Sequence, residues 1–238
     1  MLQIPVEHFT FQLILSMLKT NQNIIKKLME VTMSKSKISN FIWFFIATAL
    51  IASCSKDNES NTQTPPTTTA KTITIYDLPA DTGKKGIFTL FSLRDSSIIS
   101  NSDSLTTKWD IGFAGTTIIT NSGVRGPGKG GAIILTDVDF NSVKEAPETG
   151  YRIENSLTDL AIPTGSGNGW YNYDPQTHIV SPIPGRVIII RTADGKYAKM
   201  QIISYWKGNP QPIDPFQHKE RFYTFKYVYQ PDGSRKFE

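Results

Sequence analysis

Residues 186–199 read RVIIIRTADGKYAK, and this stretch predicts two β-strands joined by a tight turn. Residues 187–190 are all β-branched, which is typical of a strand whose two faces are both covered. Asp194-Gly195 separates this run from a second strand-like segment, residues 197–205, and an Asp-Gly pair in that place is a strong hairpin signal. The stretch therefore predicts an antiparallel hairpin within a β-sheet.

Strand-like segments continue on both sides of this hairpin. Polar and apolar side chains alternate in residues 72–76, and every second residue of the last segment, 222–229, is aromatic. No helix-period segment longer than about ten residues stands out in this part of the chain. We therefore predict an all-β fold for residues 72–238, mainly antiparallel and built as a sandwich or a partly open barrel. The other strand candidates are 86–93, 109–113, 116–120 and 131–135.

The composition supports a packed core, since 39% of the 238 residues are hydrophobic and 19% are charged. The formal net charge of +4 comes mostly from the N-terminal part of the chain. Residues 1–53 carry five lysines and two glutamates, which leaves 20 basic and 19 acidic side chains in residues 54–238. This even balance does not indicate a nucleic-acid-binding surface, so we expect no nucleic-acid partner.

The only cysteine, Cys54, directly follows a secretory signal pattern in residues 33–53. The pattern has a short positive region with two lysines, an apolar run at 41–51 and two small residues before the cysteine. The apolar run is too short to cross a membrane as a helix, which takes about 20 residues. Residues 50–54 read LIASC and resemble the lipobox of bacterial lipoproteins, which implies that Cys54 carries a lipid anchor. A single cysteine also excludes an intramolecular disulfide and any multi-cysteine metal site.

The segments on either side of the signal have separate interpretations. We interpret residues 1–32 as the product of an upstream start site, with a short amphipathic presequence as the alternative. Residues 54–71 are polar and rich in threonine, so they predict a flexible tether. Residues 56–59 resemble the acid-containing export signal that sends some Bacteroidetes lipoproteins to the cell surface. That resemblance implies an outer-membrane lipoprotein exposed at the cell surface.

Residue combinations that carry catalysis are sparse in the predicted domain. Its histidines are His178 and His218, and it has no G-x-S-x-G nucleophile elbow. The glycine-rich stretch 123–131 lacks the Lys-Ser/Thr ending of a phosphate loop and leads into a predicted strand instead of a helix. We therefore interpret this stretch as an inter-strand loop, and we expect no enzymatic activity.

An aromatic segment at 170–178 is the candidate binding site. It reads WYNYDPQTH and combines three aromatic rings with the imidazole of His178. Aromatic side chains with polar tips, such as Tyr171 and Tyr173, suit a shallow site for a flat apolar ligand. Loop histidines are more often solvated or hydrogen-bonded side chains than ligands, so both interpretations of His178 stay open. Met200 falls in a predicted strand and is expected in the core.

Five features of the predicted domain form a recognisable set: KWDIGF at 108–113, GKGGA at 128–132, Gly169-Trp170, RVIIIRTADGKYAK at 186–199 and the aromatic segment at 222–229. Together they resemble the HmuY family of Bacteroidetes haem-binding lipoproteins. The resemblance covers residues 72–238, and the leader and tether also fit it. It implies an all-β fold and a surface lipoprotein that takes haem from host haemoproteins and passes it to a TonB-dependent outer-membrane receptor.

The same resemblance implies that two axial side chains hold the haem iron, a His pair in some members and a Met pair in others. One of them would precede Gly169-Trp170, where residues 151–169 contain neither His nor Met. The position of the other falls near Asp174, four residues before His178. The predicted haem-binding residues are His178, as the iron ligand, together with Tyr171 and Tyr173.

Two functions stay open at this point. In the first, the domain binds haem through His178, with Tyr171, Tyr173 or His218 nearby, or with the ring held mainly by aromatic stacking. In the second, the same β scaffold binds a ligand other than haem or serves as an accessory lipoprotein of an outer-membrane receptor, because the axial ligand pair of the family is not evident. A titration with haemin distinguishes the two.

Overall fold

The computed structural model describes residues 70–238 of the chain. The predicted signal, the anchor residue Cys54 and residues 54–69 of the predicted tether lie outside the described residues. Eleven strands, numbered in chain order, form the described part: β1 (Thr72–Pro79), β2 (Thr89–Ser92), β3 (Ser97–Ile99), β4 (Ile111–Ala114), β5 (Thr117–Thr120), β6 (Gly131–Leu135), β7 (Tyr171–Asp174), β8 (Ile179–Pro182), β9 (Val187–Arg191), β10 (Tyr197–Trp206) and β11 (Glu220–Gln230).

Helices contribute little to the described part of the chain. Two 3-10 helices of three residues each, Asn101–Asp103 and Gly123–Arg125, are the only ones between residues 70 and 238. No helix in that range is long and apolar enough to cross a membrane. The prediction of an all-β fold is confirmed.

The strands form two main antiparallel sheets that pack face to face. The larger sheet has the order β1-β11-β10-β9-β6, and the smaller has the order β3-β2-β4-β5. The rings of Phe91 on β2 and Phe113 on β4 lie 5.7 Å and 5.5 Å from the ring of Phe225 on β11. β7 and β8 form a separate two-stranded hairpin. Residues 70–238 therefore form a β-sandwich, which is the first of the two predicted architectures.

The hairpin inside the larger sheet forms as the sequence predicts. β9 and β10 pair in antiparallel fashion, with Arg191 opposite Tyr197. In the turn, the amide of Thr192 donates to the carbonyl of Lys196 at 2.8 Å. Gly195 has a φ of 86°, a left-handed conformation that glycine adopts without steric penalty. The prediction made from Asp194-Gly195 is confirmed.

The larger sheet is covered on both faces, which explains its continuous β-branched strand. Ile188 and Ile190 lie in the main core between the sheets, while Val187 and Ile189 face a second core on the outer side. Met200 is fully buried in the main core, as predicted. The aromatic set of β11 also enters the main core, and it consists of Tyr223, Phe225, Tyr227 and Tyr229.

The structure differs from the predicted strands in two places. The predicted strand 86–93 is shorter, because the chain turns after β2 and returns as β3, which pairs with it. The predicted loop 170–178 contains β7 and the turn that leads into β8. β7 has one buried residue followed by three exposed ones, so it lacks the alternation that identifies a half-buried strand in a sequence.

The two ends of the larger sheet carry different connections. One end, called the Asp-Gly end, is closed by the turn 192–196, and the register places Gly131, Arg191, Tyr197 and Gln230 side by side there. β10 runs ten residues from this end to Trp206, which pairs with Glu220 at the opposite end, called the Trp206 end. At about 3.3 Å per residue, the two ends lie about 30 Å apart.

Candidate functional site

The candidate binding segment lies on the β7–β8 hairpin at the Trp206 end. Trp170 directly precedes β7, and its buried indole N–H donates to the carbonyl of Thr116 at 2.9 Å. The indole N–H of Trp206 donates to the carbonyl of Val180 on β8 at 2.8 Å. These two hydrogen bonds fasten the hairpin to the sandwich, whereas residues 172–178 are exposed.

Tyr173 and His178 form a hydrogen-bonded pair in the exposed part of this hairpin. Tyr173 Oη and His178 Nδ1 are 2.8 Å apart. Asp174 fixes the turn between them, since its Oδ1 accepts from the amide of Gln176 and its Oδ2 accepts from the hydroxyl of Thr177, both at 2.8 Å. These donors lower the pKa of Asp174, so its carboxylate stays ionised and holds the shape of the turn.

The bond between Tyr173 and His178 determines what the imidazole can offer to a ligand. When Nδ1–H donates to Tyr173 Oη, Nε2 keeps its lone pair, which is the form of histidine that binds a metal. Within residues 70–238, Nε2 of His178 has no hydrogen-bond partner. The pair can therefore present one nitrogen donor at the surface, with the tyrosine fixing the orientation of the ring.

Tyr171 lies apart from this exposed pair. It is 8% exposed and belongs to the main core. Its ring centroid is 5.0 Å from that of Trp170, and its hydroxyl accepts from Thr116 Oγ1 at 3.4 Å. Of the three predicted haem-binding residues, the structure brings Tyr173 and His178 together and places Tyr171 in the core.

His218 lies between β10 and β11, and a hydrogen bond there restricts its chemistry. Its Nδ1 accepts from the amide N–H of Asp214 at 2.9 Å. Because a backbone amide can only donate, Nδ1 is unprotonated and the proton of the neutral ring sits on Nε2. Neither nitrogen then has a lone pair available for iron. In this structure the His218 ring accepts a hydrogen bond through Nδ1 and does not offer a lone pair to a metal.

The donor set limits the kind of metal that His178 can bind. No group of three or more His, Cys, Asp or Glu side chains within the described range could hold a metal ion. A single imidazole is too few ligands for a bare ion, which takes four or more. A metal at His178 would therefore have to arrive with ligands of its own, as iron does in a porphyrin.

Two of the sequence motifs meet at the Asp-Gly end, away from His178. Asp110 of the KWDIGF motif is buried, with its Oδ1 accepting from the amide of Ala193 at 2.9 Å and its Oδ2 accepting from the amide of Leu93 at 2.8 Å. Burial raises the pKa of Asp110, although the two amide donors act in the opposite direction. One carboxyl group thus joins the smaller sheet to the Asp-Gly turn of the larger one.

The glycine-rich stretch 123–131 folds around the buried side chain of Asn121. Asn121 Nδ2 donates to the carbonyl of Trp109 at 2.8 Å, and its Oδ1 accepts from the amide of Gly128 at 2.9 Å. A Cβ atom on Gly126 would overlap with the same Oδ1. Packing against Asn121 therefore accounts for glycine here, and the stretch is an inter-strand loop as predicted.

A cleft of about 570 Å³ opens beside this loop at the Asp-Gly end. Arg191 lines it, but its Nε donates to the carbonyl of Lys129 at 2.7 Å and its guanidinium lies over the ring of Tyr151. Asp194 lines it as well, and accepts from the hydroxyl of Thr192 at 2.6 Å. These two charged side chains hold the neighbouring loops in place, at the opposite end of the sheet from the Tyr173–His178 pair.

The packed antiparallel sheets and the exposed pair define the class of the molecule, an all-β sandwich with a candidate ligand site on a surface hairpin. The chain belongs to the HmuY family, because the family model described as HmuY protein matches residues 18–227. This range includes β1 to β10 and most of β11. The resemblance inferred from the sequence motifs is confirmed.

Several solved structures are similar to this chain at low identity. The apo HmuY analog of Tannerella forsythia is 17% identical, with 68% of this chain and 96% of that one covered and a TM-score of 0.46. A putative HmuY-like heme binding protein from Bacteroides vulgatus is 18% identical, with 70% and 94% covered and a TM-score of 0.44. A putative lipoprotein from Bacteroides fragilis is 16% identical, with 68% and 93% covered and a TM-score of 0.44. No curated protein matches the chain.

Proposed function

We propose that this chain is a surface lipoprotein of the HmuY type that binds haem and passes it to a TonB-dependent outer-membrane receptor. Membership of the HmuY family supports the proposal. The observation that carries the haem part of it is the 2.8 Å hydrogen bond between Tyr173 Oη and His178 Nδ1 on an exposed hairpin. When Nδ1–H is the donor in that bond, Nε2 is the nitrogen left for a metal that arrives with its own ligands.

The residues of the hairpin have separate tasks in this proposal. Haem, when bound, supplies an iron atom that accepts a nitrogen lone pair on one face of its ring. His178 offers that lone pair when its Nδ1–H donates to Tyr173 Oη, and the same bond then holds the imidazole in the required tautomer. Asp174 keeps the turn closed through its bonds to Gln176 and Thr177. Trp206 ties β8 to the sandwich, so the imidazole stands on a fixed support.

The anchor and the partners are the remaining parts of the proposal. Cys54 would carry the lipid that holds the protein in the outer membrane, and residues 54–71 would give the domain its reach from the surface. Host haemoproteins are the proposed source of haem, and the TonB-dependent receptor is the proposed acceptor. No catalytic step is needed for this transfer, so the chain is proposed to be a binding protein and not an enzyme.

A haemin titration followed by absorbance tests this function. The purified full chain in detergent should produce a Soret band, and His178→Ala should shift the band and weaken binding by tenfold or more, about 1.4 kcal/mol. His218→Gln is the matched control, because the His218 ring of the wild type cannot ligate iron without losing its bond to the Asp214 amide. The Soret position of this variant should therefore equal that of the wild type.

Two results would contradict the proposal in different ways. An unchanged band and affinity in His178→Ala would remove His178 as the ligand while leaving haem binding in place. A wild-type chain without any haem spectrum would instead favour the alternative function, in which the same scaffold binds another ligand or serves as an accessory lipoprotein of a receptor.

A further inference from the structure

The chain enters the sandwich at the Asp-Gly end of the larger sheet. β1 begins at Thr72, which lies opposite Val228 on β11, two residues before Gln230 in the row that closes this end. The proposed anchor residue, Cys54, precedes Thr72 by 18 positions. A segment of that length spans at most about 60 Å. The anchor is therefore joined to the Asp-Gly end, and the Trp206 end lies about 30 Å further along the sheet.

Three loops at the Asp-Gly end carry exposed aliphatic side chains. Leu105 is 85% exposed, Val124 is 56% exposed and Leu157 is 67% exposed. The amide of Val124 donates to the carbonyl of Glu154 at 3.0 Å, and the guanidinium of Arg125 donates to the carbonyl of Leu157 at 3.2 Å. The second and third loops are therefore in direct contact.

Buried polar side chains hold these loops in place from below. Asn121 Nδ2 donates to the carbonyl of Thr106 at 2.9 Å, which ties the first loop to the glycine-rich stretch 123–131. The fully buried carboxyl group of Glu154 accepts from the amide of Thr120 at 2.8 Å and from the amide of Ala161 at 3.3 Å. The exposed aliphatic side chains thus stand on supported loops at one end of the sandwich.

The charges on the loops at this end leave cations without carboxylate partners. Within residues 70–238, Arg125, Lys129 and Arg191 belong to no ion pair, and Lys129 is exposed at the rim of the 570 Å³ cleft. The acidic side chains of the same loops are either paired or buried: Asp103 with Lys108, Asp159 with Arg152, Asp194 with Lys196, and the buried Asp110 and Glu154. Exposed aliphatic side chains beside unpaired cations are typical of a surface that lies on anionic lipid headgroups.

We propose that the Asp-Gly end rests on the lipid surface in which Cys54 is anchored, with Leu105, Val124 and Leu157 in contact with the bilayer. This inference rests on the lipid anchor of the proposed function and adds the orientation of the domain. The anchor keeps the domain close to the bilayer, so a contact too weak to recruit a free protein is enough to orient a tethered one. In this orientation the hairpin with Tyr173 and His178 lies about 30 Å from the contact surface and faces away from the lipid.

Fluorescence quenching in vesicles of phosphatidylethanolamine and phosphatidylglycerol tests the orientation. The full lipid-anchored chain carries one fluorophore on an introduced cysteine, since acylation occupies the thiol of Cys54. Leu157→Cys is the test position, and Phe216→Cys is the matched control, because Phe216 is 88% exposed in the connection between β10 and β11 at the Trp206 end. Nitroxide-labelled lipid should quench the fluorophore at 157 and leave the one at 216 unchanged, because the two ends lie about 30 Å apart. Leu105→Cys should be quenched in the same way as Leu157→Cys.

A charge reversal tests the contribution of the cations. With the fluorophore at 157, Lys129→Glu should reduce the quenching in these vesicles, because it places a negative charge against anionic headgroups. Lys85→Glu is the matched control and should have no effect. Lys85 is exposed, and its amide donates to the side chain of Asp81, which pairs with Arg221 next to Glu220 at the Trp206 end.

The failures of the anchor and of the orientation look different in this experiment. A chain that does not stay on the vesicles overturns the lipid anchor and this inference together. An anchored chain with equal quenching at 157 and 216 overturns this inference alone, and stronger quenching at 216 shows the opposite orientation. An emission shift at 157 without quenching by the lipid nitroxide also contradicts it, because the surface then contacts protein. Circular dichroism of each variant confirms that the sandwich is folded.

Discussion

Asp110 gives the sharpest test of how the two sheets are joined. Its carboxyl oxygens accept from the amides of Leu93 and Ala193, and its side chain is buried. Asp110→Asn keeps one acceptor oxygen, but its NH₂ group then faces one of the two amides. A buried N–H without an acceptor costs about 1–3 kcal/mol, so the free energy of unfolding should fall by that amount. Asp110→Ala leaves both amides unpaired and should lower the free energy of unfolding by about twice that amount. Part of this loss is recovered, because the variant no longer bears the cost of burying a carboxyl group.

The effect of Asp110 on stability should also depend on pH. Burial raises the pKa of Asp110 above the ordinary value of 3.8, so the folded state binds its proton more tightly than the unfolded chain does. The stability that this tighter proton binding contributes is present below pH 3.8 and is lost as the pH rises through the folded pKa. The stability difference between the wild type and Asp110→Asn should therefore be largest in acid and should decrease as the pH rises.

Urea unfolding followed by tryptophan fluorescence measures both effects, with Asp137→Asn as the control. Asp137 is exposed and has a φ of 57°, a conformation that asparagine tolerates, so its substitution should change the free energy of unfolding by less than about 0.5 kcal/mol. If Asp110→Asn also stays within about 0.5 kcal/mol of the wild type, the two amide bonds do not support the fold as argued. A stability difference that grows with pH would contradict the direction of the pKa shift.

The remaining predictions concern the iron ligand, the anchor and the glycine loop. Tyr173→Phe should weaken haemin binding by about 10-fold to 100-fold in titration, because it removes the hydrogen bond that fixes the His178 ring; equal affinities would show that this bond has no role in binding. Cys54→Ala should keep its leader and lose partitioning into the detergent phase, and an acylated mutant would refute the anchor assignment. Gly126→Ala should lower the free energy of unfolding by about 1–3 kcal/mol in urea, because the added Cβ overlaps with Asn121; a neutral result would show that the loop relaxes freely.

Local sequence was enough to predict the central hairpin and the core strands. The β-branched run 187–190, the Asp194-Gly195 pair and the aromatic alternation of 222–229 are each determined by side-chain pattern, and each forms as predicted. The hairpin β7–β8 was not predictable in this way. Its exposed residues 172–174 bury no regular face, and it exists because Trp170 and Trp206 fasten it through partners 54 and 26 residues away.

The candidate site shows the same division between sequence and tertiary structure. Sequence composition placed tyrosines and a histidine in one short segment, and it gave no means to distinguish Tyr171 from Tyr173. The folded structure separates them. Tyr171 packs against Trp170 and is hydrogen-bonded to Thr116 in the core, whereas Tyr173 lies beside His178 in the exposed part of the hairpin. The attachment of this hairpin to the end of β10, through the Trp206 indole and the Val180 carbonyl, is likewise a tertiary property. It joins residues 26 positions apart in the chain, and no local pattern of residues encodes such a contact.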